Sequence, residues 1–272
     1  MTAIIIIACI LALLGIGYLL TLAGRNDHPE LPKLRGWAYA HRGLHGNGVP
    51  ENSMAAFRAA LEHGYGIELD IHLTRDGKLA VIHDSSLKRT AGADVTVEDL
   101  TFEELKQYRL EGTEETIPLF SDVLALFGGR APMIIELKSA GGNFNALTDT
   151  AVRAMEGYPG VYCMESFDPR CLRRLKKCHP RIIRGQLSEN FLRRPAPNAP
   201  FLLQWIMTNL VSNVQTRPDF IAYNFADRNS LSVRLCRKLW GIQGVSWTLH
   251  SQEEYDTAVS EGWIPIFEGF RP

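Results

Sequence analysis

The chain has 272 residues, 46% hydrophobic and 22% charged, with 29 basic and 30 acidic side chains and a formal net charge of -1. That length suits one sizeable core, and a barrel of about 250 residues counts as a single domain. The balanced charge leaves no basic footprint for nucleic acid, and Cys9, Cys163, Cys171, Cys178 and Cys236 lack the spacing of a disulfide framework or a zinc knuckle.

From Ala3 to Ala23 no charged side chain occurs, and Ile, Leu and Ala dominate. A spanning helix needs about 20 apolar residues, which this run supplies. A cleaved signal peptide is disfavoured: no basic residue precedes the run, it is long for a signal, and no clean A-x-A site follows. Residues 1–24 are therefore expected as a single-pass anchor in the cell membrane. No basic residue lies before it, and Arg25, Lys33 and Arg35 follow, which places the remainder in the cytoplasm. Residues 25–35, polar and with two prolines, read as a linker lifting a domain at 36–272 off the bilayer.

Beyond this point short apolar runs alternate with helical patterns. Strands are expected at 37–41, 66–71, 79–83, 132–137, 161–165, 182–186, 219–223, 243–248 and 264–267. Helices are expected at 52–63, 101–107, 121–127, 144–156, 169–177, 200–213, 230–239 and 252–260. Such alternation means parallel strands with helices outside, a TIM-type (β/α)8 barrel. Nine strands for eight staves leave one peripheral, and the last is the one set aside.

The chemistry is concentrated in a few polar residues where apolar ones would be cheaper. His41-Arg42-Gly43 ends an apolar strand, and parallel barrels carry their sites at the C-terminal strand ends. Arg42 suits an anion in bidentate fashion, and Gly43 permits a sharp turn; an ordinary ion pair is the bland alternative. Glu68 and Asp70 share one face of a strand otherwise made of Ile and Leu. Two buried carboxylates side by side need a cation or a proton between them, and oxygen ligands suit Mg²⁺ or Ca²⁺; a structural ion-paired couple competes. His83 ends another apolar run, so two histidines at strand ends are available as general acid and general base. In Met133–Lys138, Glu136 and Lys138 share a face, offering a third carboxylate and a cation for a phosphate oxygen. Asn52 is expected either to hold the Arg42 and metal region or to cap a helix. His45, His63 and His72 read as surface or supporting groups, with His72 beyond the strand end. The apolar stretch Phe201–Val211 follows Arg193 and Arg194, and is read as either a core-facing helix or a membrane-touching surface.

Read in order, HRG, PENS followed by AF, G-x-G-x-ELD, LTRDGKLAVIHD, LKRT, IPLFSDVL and IIELK resemble the glycerophosphodiester phosphodiesterases. The resemblance runs from about residue 37 to 139 and weakens afterwards. It implies a catalytic pair at His41 and His83; which is base and which acid does not follow from it, and His41 is taken here as the base and His83 as the acid. It also implies one divalent cation at Glu68, Asp70 and Glu136, and phosphate or substrate contacts at Arg42, Lys138 and Trp247. Later blocks are partial. Glu165-Ser166-Phe167-Asp168 resembles the Ser-Phe-Asp segment, and Val245–Leu249 resembles Trp-Thr-Val-Asn with His250 at the Asn. Ile266-Phe267-Glu268 stands where Ile-Thr-Asp is common; these departures bear on the leaving-group end of the substrate. The implied reaction is metal-dependent hydrolysis of a small-molecule or lipid phosphodiester to glycerol phosphate and an alcohol, by water or by way of a cyclic phosphate. A lysophospholipase D activity with the same site is the nearest rival. A non-catalytic tethered binding protein is the other, and buried carboxylates are expensive to keep for folding alone.

Overall fold

The computed structural model describes residues 1–197 and 199–272. Nine strands form one sheet: β1 Tyr39–Ala40, β2 Gly66–Leu73, β3 Leu79–Val81, β4 Met133–Leu137, β5 Tyr162–Ser166, β6 Arg184–Ser188, β7 Phe220–Asn224, β8 Gln243–Leu249 and β9 Trp263–Phe267. Eight of them are parallel, and β1 pairs with both β2 and β9, which closes the barrel. The exception is β3, antiparallel on the far end of β2, where His72 stands opposite Ala80. The strand to set aside is thus the run at 79–83, and 264–267 is a stave. Its apolar pattern could not separate the two; the return of the chain to β1 does, because closure removes an open edge.

The longer helices are α1 Thr2–Thr21, α2 Met54–Glu62, α3 Phe120–Phe127, α4 Phe144–Ala154, α5 Pro169–Cys178, α6 Phe201–Thr208, α7 Leu231–Trp240 and α8 Gln252–Ser260. Local chemistry starts several of them. The Ser53 side chain accepts from Ala56 N at the head of α2, and the Asp168 side chain accepts from Arg170 N, with Pro169 in the first turn of α5. Buried Cys171, Leu172 and Leu175 make the inner stripe of α5. The helix expected over 200–213 stops at Thr208. Leu210 takes φ +55, a left-handed turn that no helix continues through, and a short turn at Asn213–Thr216 follows.

Each strand divides its side chains between two layers. Ile67, Leu69, Ile71, Met133, Ile135 and Leu137 face the helices, packing with Phe57, Phe120 and Phe127. The lower half of the barrel interior is apolar, filled by Tyr39, Ile134, Cys163, Phe220, Val245 and Ile264. Glycine makes room for two of those rings. A Cβ on Gly185 would sit 2.0 Å from the Phe220 ring, and one on Gly66 would sit 2.9 Å from Tyr39.

Residues 25–35 are packed rather than extended. A 3-10 turn at Leu31–Leu34 buries both leucines in the interior cluster, so this segment stoppers the N-terminal end of the barrel. Arg25 forms an ion pair with buried Asp219, and Arg217 donates to the Leu20 and Ala23 carbonyl oxygens. The reason is simple: Leu31 and Leu34 have an apolar hole to fill. Helix α1, by contrast, buries none of its residues, and its length and composition are sufficient to cross a membrane.

Candidate active site

The alternation that fills the lower barrel with apolar groups puts acids in its upper half. On β2, Glu68 and Asp70 point inward; on β4 Glu136 does, in register with Asp70. All three are buried, and their carboxylate oxygens lie within 4.8 Å of one another. Glu165 on β5 stands in register with Glu136, is 1% exposed, and has one oxygen with no hydrogen-bond partner. Four carboxylates therefore crowd one end of the barrel.

Two cations answer them. Lys138 Nζ lies 2.8 Å from Glu136 Oε1 and 3.1 Å from Asp70 Oδ1. Arg42 Nε is 3.6 Å from Asp70 Oδ2, and its Nη1 donates to Glu51 Oε1 at 3.0 Å. Arg42 takes φ +54, which turns its backbone N–H toward Glu68 Oε2 at 3.2 Å. Asn52, at φ +52, donates from Nδ2 to Asp70 Oδ2 at 2.8 Å, and its backbone N donates to the Arg42 carbonyl. Ser53, not Asn52, caps the helix. Left-handed backbone costs about 1–2 kcal/mol at a residue with a side chain, and these contacts to buried carboxylates offset it.

The charges distribute unequally. Burial would raise Asp70, but Lys138, His83 and Arg42 outweigh it and hold that carboxyl well below the usual range. Burial, together with Asp70 and Glu136, pushes Glu68 well above it. Glu136 is pushed up to about 7, by burial first and by Asp70, against the pull of Lys138. Glu165 is raised by burial and by its acidic neighbours. Such a set favours a hard divalent cation: three oxygen donors already converge, and repulsion among them is relieved by positive charge. Glu68, Asp70 and Glu136 would hold it.

His41 and His83 line the same inner pocket as Glu68, Glu136 and Glu165. His41 Nδ1 lies 2.5 Å from Glu268 Oε2, and its Nε2 is 3.8 Å from Glu68 Oε2. His83 Nδ1 lies 2.7 Å from Asp84 Oδ1. In each the carboxylate beside Nδ1 favours the tautomer that leaves Nε2 free. Burial lowers both imidazoles below their ordinary value, His83 to about 4. The Glu268 carboxyl is held down to about 2 by its hydrogen bond with His41. An inner pocket of about 60 Å³ is walled by His41, Arg42, His83, Phe167 and Trp247, among others. It shares His83, Glu136 and Phe167 with an outer cleft of about 350 Å³ that also takes in Lys138 and Ser139.

All eight expected site residues therefore gather at one end of the barrel. Residues 41–267 match the model of the glycerophosphoryl diester phosphodiesterase family. The chain belongs to that family. A glycerophosphodiester phosphodiesterase of Caldanaerobacter subterraneus is 31% identical over 233 residues, which cover 82% of this chain and 89% of the relative. A lysophospholipase D of Rattus norvegicus is 36% identical over 149 residues, 48% of this chain and 46% of its own length. The fold is that of an Oleispira antarctica phosphodiesterase solved with the product sn-glycerol-3-phosphate. That match has a TM-score of 0.69 and 22% identity, and covers 85% of this chain and 92% of that one.

Three residues met in the sequence take more definite places in this phosphodiesterase than the sequence assigned them. Glu268 partners His41, and only the closure of β9 onto β1 brings them together. Glu165 joins the acidic group; its signal was a glutamate with period-two spacing from Cys163 on a strand. His72 lies inside β2, not beyond it, and is buried. Its Nδ1 bonds Glu98 at 2.6 Å and its Nε2 meets the His83 carbonyl oxygen at 3.1 Å, so it fixes the backbone that carries His83. His63 is exposed and caps the C-terminal end of α2, with Nδ1 near the Ala59 carbonyl oxygen, and His45 Nε2 is 3.8 Å from Glu268.

Proposed function

We propose that this phosphodiesterase hydrolyses glycerophosphodiesters to glycerol 3-phosphate and an alcohol, using one divalent cation, Mg²⁺ or Ca²⁺, at Glu68, Asp70 and Glu136. The observation that carries the reading is the convergence of those three carboxylates beside two carboxylate-partnered histidines that share a pocket with Glu68 and Glu136. A bound cation supplies Lewis-acid polarisation of a phosphoryl oxygen. The chain's own groups do the rest. Arg42 and Lys138, held at the rim by their acidic partners, turn toward the diester's oxygens and stabilise the charge that builds there. Trp247 lines the inner pocket, where its ring would meet the substrate's carbon skeleton.

His41 is the base. It is neutral, and with Glu268 at Nδ1 it presents Nε2 to a hydroxyl or a water. Glu268 stabilises the imidazolium that results. His83 is the acid for the leaving alkoxide. Lys138 and Arg42 are among the groups that lower it, and the incoming phosphate's negative charge offsets them, so the imidazole gains its proton with substrate in place.

Residues 1–24 serve as the membrane anchor, and the barrel lies on the cytoplasmic side. A lysophospholipase D activity on membrane lysophospholipids uses the same site; the relative of that name and the exposed apolar face of α6 favour it as the second reading.

The test is release of glycerol 3-phosphate by the full chain from glycerophosphocholine and from a lysophospholipid, with EDTA or with added Mg²⁺ or Ca²⁺. His41→Ala and His83→Ala are each expected to lower kcat by about 10²–10⁴-fold while metal binding, read by calorimetry, is retained. Wild-type kcat in His41→Ala would refute the scheme.

A further inference from the structure

We propose that α6 rests in the surface of the bilayer that α1 enters, and delivers single-chain phospholipids to the barrel mouth. This rests on the reading of α1 as a membrane anchor.

The first observation is the face that α6 shows to solvent. Phe201, Leu202 and Trp205 share one side of the helix and are 73%, 65% and 40% exposed, while Met207 on the opposite side is buried. Three large apolar side chains on one exposed helical face are expensive in water and suited to an acyl and headgroup boundary.

The second is continuity with the anchor. The Tyr18 hydroxyl donates to the carbonyl of Asn209, the residue that ends α6, at 3.3 Å. Trp240 Nε1, at the end of α7, donates to Leu19 O at 2.9 Å, and Arg217 donates to Leu20 O and Ala23 O. The last turn of α1 is thereby tied to the barrel beside α6. Eight helical residues span about 12 Å, so all of α6 lies close to the point where α1 leaves the domain. A bilayer holding α1 up to Tyr18 and Leu19 has its interface there. Just before Trp240, α7 carries Arg234, Arg237 and Lys238 into a cleft of about 520 Å³, and cations beside an anchor favour an anionic leaflet.

The third is a route from α6 to the site. Phe191, in the segment that joins β6 to α6, donates its backbone N–H to Thr208 Oγ1 at 3.0 Å. Its ring meets Phe167 edge-on at 6.0 Å, and Phe167 meets Trp247 at 5.8 Å. Phe167 and Trp247 both wall the catalytic pocket. A row of three aromatic rings thus leads from the end of α6 to the metal-ligand carboxylates, an apolar path for one acyl chain.

The experiment places the full chain in vesicles of phosphatidylcholine and phosphatidylglycerol with brominated acyl chains. Tryptophan quenching is compared for wild type and Trp205→Phe. Docking predicts that the quenched emission falls about twofold in the variant. Equal quenching in two proteins that both float with the vesicles would overturn the proposal. A wild-type chain that does not float overturns the anchor reading and this one with it. In a second arm, Phe201→Ser with Leu202→Ser is expected to lower turnover of vesicle-borne lysophosphatidylcholine about tenfold and leave dissolved glycerophosphocholine turnover unchanged. Equal rates on both substrates in variant and wild type would overturn delivery. A wild type inactive on lysolipid but active on the small diester would refute delivery and leave docking to the quenching result.

Discussion

At His41, Glu268 and, less strongly, Asp70 pull against burial and Arg42. Glu268 Oε2 is 2.5 Å from Nδ1, and desolvation still keeps the ring below its ordinary pKa. Glu268→Gln keeps a hydrogen-bond acceptor and loses the charge. It is expected to lower kcat about tenfold with little change in KM, and to shift the acid limb of the pH–rate profile downward, since a carboxylate that raised His41 is gone. A limb that stays in place would show that Glu268 does not act through His41. His83 gives a stability prediction instead. Its folded pKa is lowered to about 4 from an ordinary 6.5, so between those values the unfolded chain binds more protons. Stability conferred by keeping the ring neutral is present above pH 6.5 and lost as pH falls toward 4. After allowance for partial exposure the loss is about 2 kcal/mol. In EDTA, urea titrations of His83→Gln should show a flatter dependence across that window than wild type.

The paired strands β2 and β4 explain why the site is where it is. Their register sets Asp70 beside Glu136, and period-two alternation keeps Ile and Leu on the helix side of the same strands. One element thus serves the core on one face and the chemistry on the other. At the opposite end, β6 and β7 depend on a missing side chain. A Cβ at Gly185 would stand 2.0 Å from the Phe220 ring, which is fully buried. Gly185→Ala is expected to destabilise the fold by about 1–3 kcal/mol, read as a lower thermal midpoint, while kcat at 20 °C is retained. Loss of activity in a folded variant would mean that the lower barrel is coupled to the mouth more tightly than its layering implies.

For the whole molecule, four buried carboxylates at one barrel end have just two permanently charged cations, Arg42 and Lys138, at close range among the described residues. A cation that binds the folded state alone stabilises it by mass action, about 2.7 kcal/mol at a hundredfold excess over Kd. Saturating Mg²⁺ or Ca²⁺ is therefore expected to raise the thermal midpoint by roughly 5 °C over EDTA. The rise should disappear in Glu68→Gln. An equal midpoint with and without every divalent ion tried would argue against a resident metal. The same balance of forces orders residues 25–35, where burial of Leu31 and Leu34 beneath the barrel outweighs the solvation of a polar, proline-bearing segment.

Much of this was written locally. The isolation of Glu68, Asp70, Glu136 and Lys138 among Ile and Leu marked inward-facing charge, because side-chain direction along a strand follows from neighbours two residues away. His41 and His83 were legible for a similar reason, as polar groups closing apolar runs. The tertiary structure alone decided which candidate strand completes the barrel, that Glu268 reaches His41 across the β1–β9 closure, and that Glu165 joins the acids. It also decided that α6 turns its apolar face outward next to the end of α1. Each of these depends on segments far apart in the chain meeting at a particular register. Periodicity reports how a segment alternates, whereas the packing of the entire barrel fixes what that segment meets.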